Sequence, residues 1–172
     1  MTKDIFVLFA KYNKTANEQM DEIIKTLSPE EWDKPLGGYF KSVRSLCSHL
    51  YVCDFNWLKR FSKLRDFVVF KEAAFNRDLY SFEEVLFKDK GEYLAQRPSL
   101  DEKIIAFADE LKDADLNSHL KYADSKGNTY ERNFGGIILH VFNHQTSHRG
   151  MISLYLEMLG RENDFNSLAR VL

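Results

Sequence analysis

Between Phe134 and Leu159 the apolar residues Ile137, Val141, Ile152, Tyr155 and Leu159 recur at helical spacing, and His144 and His148 sit four apart on the same stripe. This segment constrains the fold more than any other. A helix of that length must bury its stripe against other elements, and this stripe takes two imidazoles with it. Spacing of four stacks the rings one turn apart, so two neutral imidazoles can share one divalent cation. Gly160 ends the helix.

Three more segments show helical periodicity. Ile5, Leu8, Phe9, Tyr12, Ala16, Met20, Ile23, Ile24 and Leu27 predict a first helix from Lys3 to Thr26. Ser28-Pro29-Glu30-Glu31 is a capping box with proline at the first helical position, which predicts a short helix. Gly37-Gly38 marks a loop. Val43, Leu46, Cys47, Leu50, Cys53, Trp57, Phe61 and Leu64 predict a second long helix from Ser42 to Leu64, with His49 at the edge of its stripe. The Phe-rich stretch from Arg65 to Tyr80 has no clear period. Ser81-Phe82-Glu83-Glu84 predicts a helix to Gln96, Pro98 interrupts it, and Ser99 with Glu102 restarts it to Leu111. The run Ser118 to Asp124, the turn Ser125-Lys126-Gly127-Asn128 and the run Thr129 to Arg132 predict a small hairpin before the last helix. The expected fold is all-α: a four-helix bundle, one domain over residues 1–172.

Composition excludes several classes of function. A net charge of −2 with interspersed Lys, Arg, Asp and Glu argues against a nucleic-acid platform and against a membrane surface. No run approaches the roughly 20 apolar residues of a membrane span. Met1-Thr2-Lys3-Asp4-Ile5-Phe6 lacks the apolar core of a signal peptide. Cys47 and Cys53, six apart on one helix, face different directions and are expected to be reduced thiols in a cytoplasmic protein.

The best third partner for His144 and His148 is His49. Three histidines from two packed helices would leave a zinc-type ion one position for water or a thiol, which ionises more readily there. Gln145 follows His144, so the pattern is not that of zincins, whose glutamate is the general base. The bland alternative is a pair of hydrogen-bonded core histidines or a surface pair. His140 would lie about 12 Å from His148 along the helix, too far to share one ion directly, and is read as a supporting or hydrogen-bonded core group. His119 is expected at the surface. Cys53, one turn from His49, is within reach of the site but is more commonly core. Arg149 is a candidate for orienting an anionic substrate, with a solvated helix residue as its alternative. Gly150 suggests close approach of another group. Asn13 and Asn17 suit hydrogen bonds across helices, and Trp57 and Tyr155 suit the core.

An ordered set of motifs resembles a known family. Tyr12-Asn13 with Asn17, Phe40-Lys41-Ser42-Val43 through His49 with Asp54 and Trp57, and the run His140 to Gly150 together resemble the DinB/YfiT-like metalloenzyme family over nearly the whole chain. Ser147 and Met151 depart from it, standing where that family often has His and Gln. The resemblance implies an up-down-down-up helix order, frequent dimerisation and a divalent metal, zinc or nickel, on His49, His144 and His148. It also implies a low-molecular-weight thiol as cosubstrate, since relatives include bacillithiol- or mycothiol-dependent S-transferases and a thiol-dependent isomerase. The expected function is metal-dependent transfer of such a thiol to a small electrophile, or a related hydrolysis, by a cytoplasmic homodimer that engages neither nucleic acid nor membrane. The alternative is a non-catalytic metal-binding bundle with a stress-related binding or structural role.

Overall fold

The computed structural model describes residues 2–124 and 126–172. Met1, at the start of the N-terminal stretch discussed above, and Ser125, in the hairpin turn, lie outside the described residues. In chain order the elements are α1 (Lys3–Lys25), α2 (Pro29–Trp32), α3 (Val43–Phe61), α4 (Lys90–Glu110), α5 (Asp113–Leu116), β1 (His119–Ala123), β2 (Thr129–Asn133) and α6 (Phe134–Met158). Helix dominates, and β1 and β2 form an antiparallel hairpin that pairs His119 with Asn133 and Tyr122 with Tyr130. No helix among the described residues is long and apolar enough to cross a membrane.

The four long helices pack pairwise, α1 against α4 and α6, and α3 against α4 and α6. Along α3 and α4, Asp54 meets Arg97 and Phe61 meets Phe107. Along α1 and α4, Lys14 meets Glu102, while the Lys25 carbonyl accepts from Lys90. Between α3 and α6, His49 meets His148 and Phe61 meets Phe134. Between α1 and α6, Phe9 stacks on Phe142 and Asn13 bonds Arg149.

Local chemistry explains most boundaries. Ser28 caps α2 reciprocally with Glu31, and Ser42 caps α3 reciprocally with Ser45, so orphan amides at both starts are satisfied. Gly160 sits at φ +76°, a left-handed conformation that suits glycine just past the end of α6. On α1 the buried face holds Phe6 rather than Ile5, which is exposed, and it includes Asn13, Asn17 and Asp21.

The third long helix differs from the sequence expectation. Ser81-Phe82-Glu83-Glu84 starts no helix; α4 begins at Lys90, capped by Asp89, and runs unbroken through Pro98 to Glu110. Proline removes one backbone bond, but Arg97 and Asp101 on either side are locked into the interior by an ion pair, and packing overrides the local preference. The stretch before α4 is instead held over α3 by side-chain clamps. Asn56 donates to the Tyr80 carbonyl at 3.0 Å and accepts from the Tyr80 amide at 2.9 Å. Phe75 stacks on Phe55 at 5.4 Å between centroids, and Phe67 and Phe87 are buried nearby. Each such aromatic contributes on the order of 1.5–3 kcal/mol by leaving water.

A buried polar network ties the helices together. Arg97, 2% exposed, donates to Asp54 at 2.6 Å and grips Asp101 through Nε at 3.1 Å to each oxygen. Asp54 also accepts from Gln145 Nε2 at 2.7 Å, and Asp101 accepts from Asn17 at 2.9 Å and Asn13 at 3.3 Å. Removing the guanidinium strands two buried carboxylates. Arg97→Met should therefore cost about 3–5 kcal/mol of unfolding free energy. A urea midpoint within error of the parent would refute that account.

Asp21 sits at the edge of this network with one carboxylate oxygen unpartnered. Burial pushes its carboxyl up to about 7, against the opposing charge of Arg97. In the window between the unfolded carboxyl range and about 7 the folded state holds a proton that the unfolded state has released. The resulting stability is full below the unfolded value and is lost as pH rises through about 7. Relative to Asp21→Asn, the parent should thus lose about 2–3 kcal/mol between roughly pH 5 and pH 8. Denaturation curves at the two pH values check this, and a parent that gains or holds stability relative to Asp21→Asn as pH rises would overturn it.

Candidate metal centre

Helix α3 presents His49 and Cys53 one turn apart, and the antiparallel-facing stretch of α6 presents His144 and His148 with the same spacing. The rings of His49 and His148 lie 4.7 Å apart between centroids, those of His144 and His148 4.3 Å, and those of His49 and His144 5.3 Å. His49 Nε2 and His144 Nε2 approach to 3.2 Å. Cys53 Sγ lies 3.5 Å from His49 Nε2. Donor atoms of His49, Cys53 and His144 all fall within 4.8 Å of one another, a spacing that can hold a metal ion. His148 packs its ring against both histidines but brings no nitrogen into that donor group, and its Nδ1 is buried with no hydrogen-bond partner.

The donors are in the right protonation state. Burial, reinforced by the neighbouring His148, drives the His49 imidazole down to about 4. Burial, then His148 and His49, drives His144 down to about 3. His148 is also lowered by burial, with the carboxylate of Asp54 opposing. Near neutral pH all three rings are therefore neutral, the form that offers a lone pair to a metal. Burial pushes the Cys53 thiol up to about 12, so without a cation beside it the sulfur keeps its proton. Two neutral nitrogens 3.2 Å apart with a cysteine sulfur in the same donor group, beside a buried His148 nitrogen that lacks a protein partner, fit a divalent cation.

The surroundings fix the rings. Phe40 packs 4.5 Å from His49 and edge-on to His148 at 5.3 Å. The Phe40 carbonyl accepts from Tyr155 Oη at 2.5 Å, and that hydroxyl lies so close to Gly38 that a Cβ there would meet it at 2.3 Å. Only glycine fits at Gly38, whose φ of +41° also disfavours a side chain. A cavity of about 400 Å³ reaches His49, walled by Tyr39, Phe40, Phe82 and Val85 with Glu83 and Glu84 at its edge. The clamped stretch before α4 supplies half of that wall.

Other residues singled out from the sequence lie elsewhere. Arg149 is 1% exposed, and its guanidinium bonds Asn13, Asn166 and Thr146 over the Tyr12 ring. These contacts engage its guanidinium inside the protein, and Arg149 does not line the cavity at His49. Gly150 is exposed with nothing within 4 Å of a built Cβ, so no close approach explains it. His140 is exposed, edge-on to Trp57 at 5.8 Å, and not a core group. His119 is exposed, Tyr155 is buried and Trp57 is half-buried. Asn13 and Asn17 bond across helices. Both cysteines are unpaired and buried. Sequence reasoning gave Cys53 too little weight although its spacing of four from His49 matches that of the α6 pair. It missed Arg97 and Asp101 as supports, whose own spacing of four was the available signal.

Known proteins bear on this geometry. The DinB family profile matches residues 1–166. Over 156 residues the chain is 26% identical to "Protein DinB" of Bacillus subtilis (strain 168), which covers 87% of this chain and 83% of that protein. With the profile spanning nearly all four long helices and both histidine-bearing segments, the chain belongs to the DinB family.

Proposed function

We propose that His49, His144 and His148 hold one divalent ion, zinc or nickel, and that the site transfers a low-molecular-weight thiol to a small electrophilic substrate or performs a related hydrolysis. The observation that carries this reading is the 3.2 Å approach of two neutral imidazole nitrogens at the end of a 400 Å³ cavity. We also infer a four-helix bundle in up-down-down-up order, supported by the start-to-start pairing of α3 with α4 and the end-to-start pairing of α1 with α4. A homodimer draws support from Leu154 and Met158, exposed one turn apart on α6 at 55% and 54%. Free cysteines and the charge pattern support a cytoplasmic protein whose partner is a small molecule, with neither nucleic acid nor membrane.

A bound divalent ion would supply Lewis acidity, lowering the pKa of a thiol or water beside it. The chain's own residues do the rest. The depressed basicity of His49 and His144 keeps both rings as acceptors at neutral pH. Phe40 and Phe82 shield one side of the rings from water, which strengthens electrostatic interactions there. Gln145 and Arg97 hold Asp54 in place, and Asp54 partly offsets the effect of burial on His148.

The second reading, a non-catalytic metal-binding bundle, is favoured by one observation: Cys53 lies close enough to act as a fourth protein donor. An open position suits catalysis, and a closed one suits a structural role.

An ion bound only by the folded state raises stability by about 2.7 kcal/mol at a hundredfold excess over Kd. For a domain of this size that is a Tm rise of roughly 5–11 °C. His144→Ala should abolish the rise and His119→Ala should keep it; a full rise in His144→Ala would remove His144 from the site. In the metal-loaded protein, His148→Ala should eliminate thiol conjugation across a panel of electrophiles while circular dichroism remains helical. If the fully loaded parent conjugates no common cellular thiol, the binding reading replaces the enzymatic one.

A further inference from the structure

We propose that Cys53 is itself a ligand, making this site a mixed thiolate–imidazole centre and not an all-histidine one. This rests on the metal reading above. Tetrahedral zinc with Zn–N of about 2.0–2.1 Å and Zn–S of about 2.3 Å places neighbouring nitrogens about 3.3–3.4 Å apart and nitrogen and sulfur about 3.5–3.6 Å apart. The observed His49 Nε2 to His144 Nε2 distance is 3.2 Å, and His49 Nε2 to Cys53 Sγ is 3.5 Å. The nitrogen pair thus already has the spacing of one edge of a coordination polyhedron across α3 and α6, and the Cys53 sulfur lies within 4.8 Å of donor atoms on both histidines.

An ordinary hydrogen bond between Cys53 and His49 accounts for this less well. The sulfur stands 3.5 Å from Nε2 and 3.8 Å from Nδ1 of the same ring. An S–H aimed at one nitrogen lone pair would lie near that nitrogen and far from the other. Near-equal distances place the sulfur beside the ring, out of line with either lone pair, so on binding the Cys53 side chain turns toward an ion held on Nε2. Cys47, two turns before Asp54 on the same helix, is fully buried and takes no part in the donor group. Cys53 is therefore set apart by its position and not by being a cysteine on α3.

On binding, a metal–sulfur bond forms, the S–H bond breaks and the proton passes to solvent. No oxidant or reductant is needed. A thiolate beside two or three imidazoles selects borderline ions such as zinc, cobalt and nickel over magnesium and manganese, which prefer oxygen. His49, Cys53 and His144 then form the donor group, and the fourth tetrahedral position is left to His148 or to an exogenous thiol.

The test uses the full chain, stripped of metal under reducing conditions and titrated with cobalt(II) and then with zinc. The parent should develop a near-ultraviolet thiolate-to-cobalt charge-transfer band along with visible ligand-field bands. Cys53→Ser and Cys53→Ala should lose the charge-transfer band, keep helical circular dichroism, and bind zinc at least about tenfold more weakly, the scale at which a changed site contact registers. The parent should also release one more proton per zinc than Cys53→Ser in matched buffers. Ligand-field bands without a charge-transfer band in the parent, or identical spectra in parent and Cys53→Ser, would overturn the proposal while leaving a histidine metal site intact. Absence of any cobalt or zinc binding by the parent would overturn both together.

Discussion

Arg97 holds this structure together from inside. It is a full positive charge in the bundle interior, tolerable because Asp54 on α3 and Asp101 on its own helix neutralise it at hydrogen-bond distance. A buried ion pair contributes little net stability against an apolar core, but it forbids alternatives, since any shift of register leaves a charge unpaired. Asp101 extends the constraint to α1 through Asn13 and Asn17, and Asp54 extends it to α6 through Gln145. Gln145 lies one residue after His144 and three before His148, and Asp54 one after Cys53. The donors of the candidate centre therefore sit on the segments that the network fixes. Their approach to one another follows from how this network places α3 and α6.

That arrangement explains a feature that would otherwise be costly. Three half-buried imidazoles crowd one another: His148 makes protonation of His49 harder, and both make protonation of His144 harder. Evidently the fold accepts rings that stay neutral well below the usual imidazole range. It also leaves His148 Nδ1 buried without a partner, a group that generally costs about 1–3 kcal/mol when nothing satisfies it. Neutral nitrogens with spare lone pairs are poorly used as core polar groups and well used as ligands.

Much of this was legible in the sequence, and the exceptions have physical causes. The extents of α1, α3 and α6 follow from apolar period and capping residues, and the hairpin from its turn. The interior role of Asn13 and Asn17 was legible in their spacing. Helix α4 was not, because its buried face carries Arg97 and Asp101, which blur the apolar period, and because Pro98 is a local stop signal that packing overrides. The start at Ser81 failed for a related reason: a good capping box is only a preference, and the Asn56 clamp on Tyr80 with the burial of Phe87 holds that stretch non-helical. The interior contacts of Arg149 were not legible because a helix position next to His148 points about 100° away from it, here into the packed interior. Cys53 was underweighted because burial alone is the usual fate of a free cysteine, and only the placement of α6 opposite it brings its sulfur among the histidine donor atoms.

The two functional readings differ on a single geometric point, and the structure frames it sharply. The cavity at His49 gives a small molecule access to one side of the cluster, where Phe40, Phe82 and Val85 form an apolar wall with Glu83 and Glu84 at the rim. Cys53 approaches the same ring as a competing donor from within α3. A thiol arriving through the cavity and the thiol of Cys53 offer the same soft atom to the same place. If the chain supplies that atom permanently, the centre braces α3 against α6. If Cys53 can be displaced, its sulfur reserves the position that an incoming thiol takes, and a closed resting site is compatible with turnover. The distinction therefore lies in the exchange rate of one ligand, a property set by how firmly α3 holds Cys53 rather than by the identity of the three histidines.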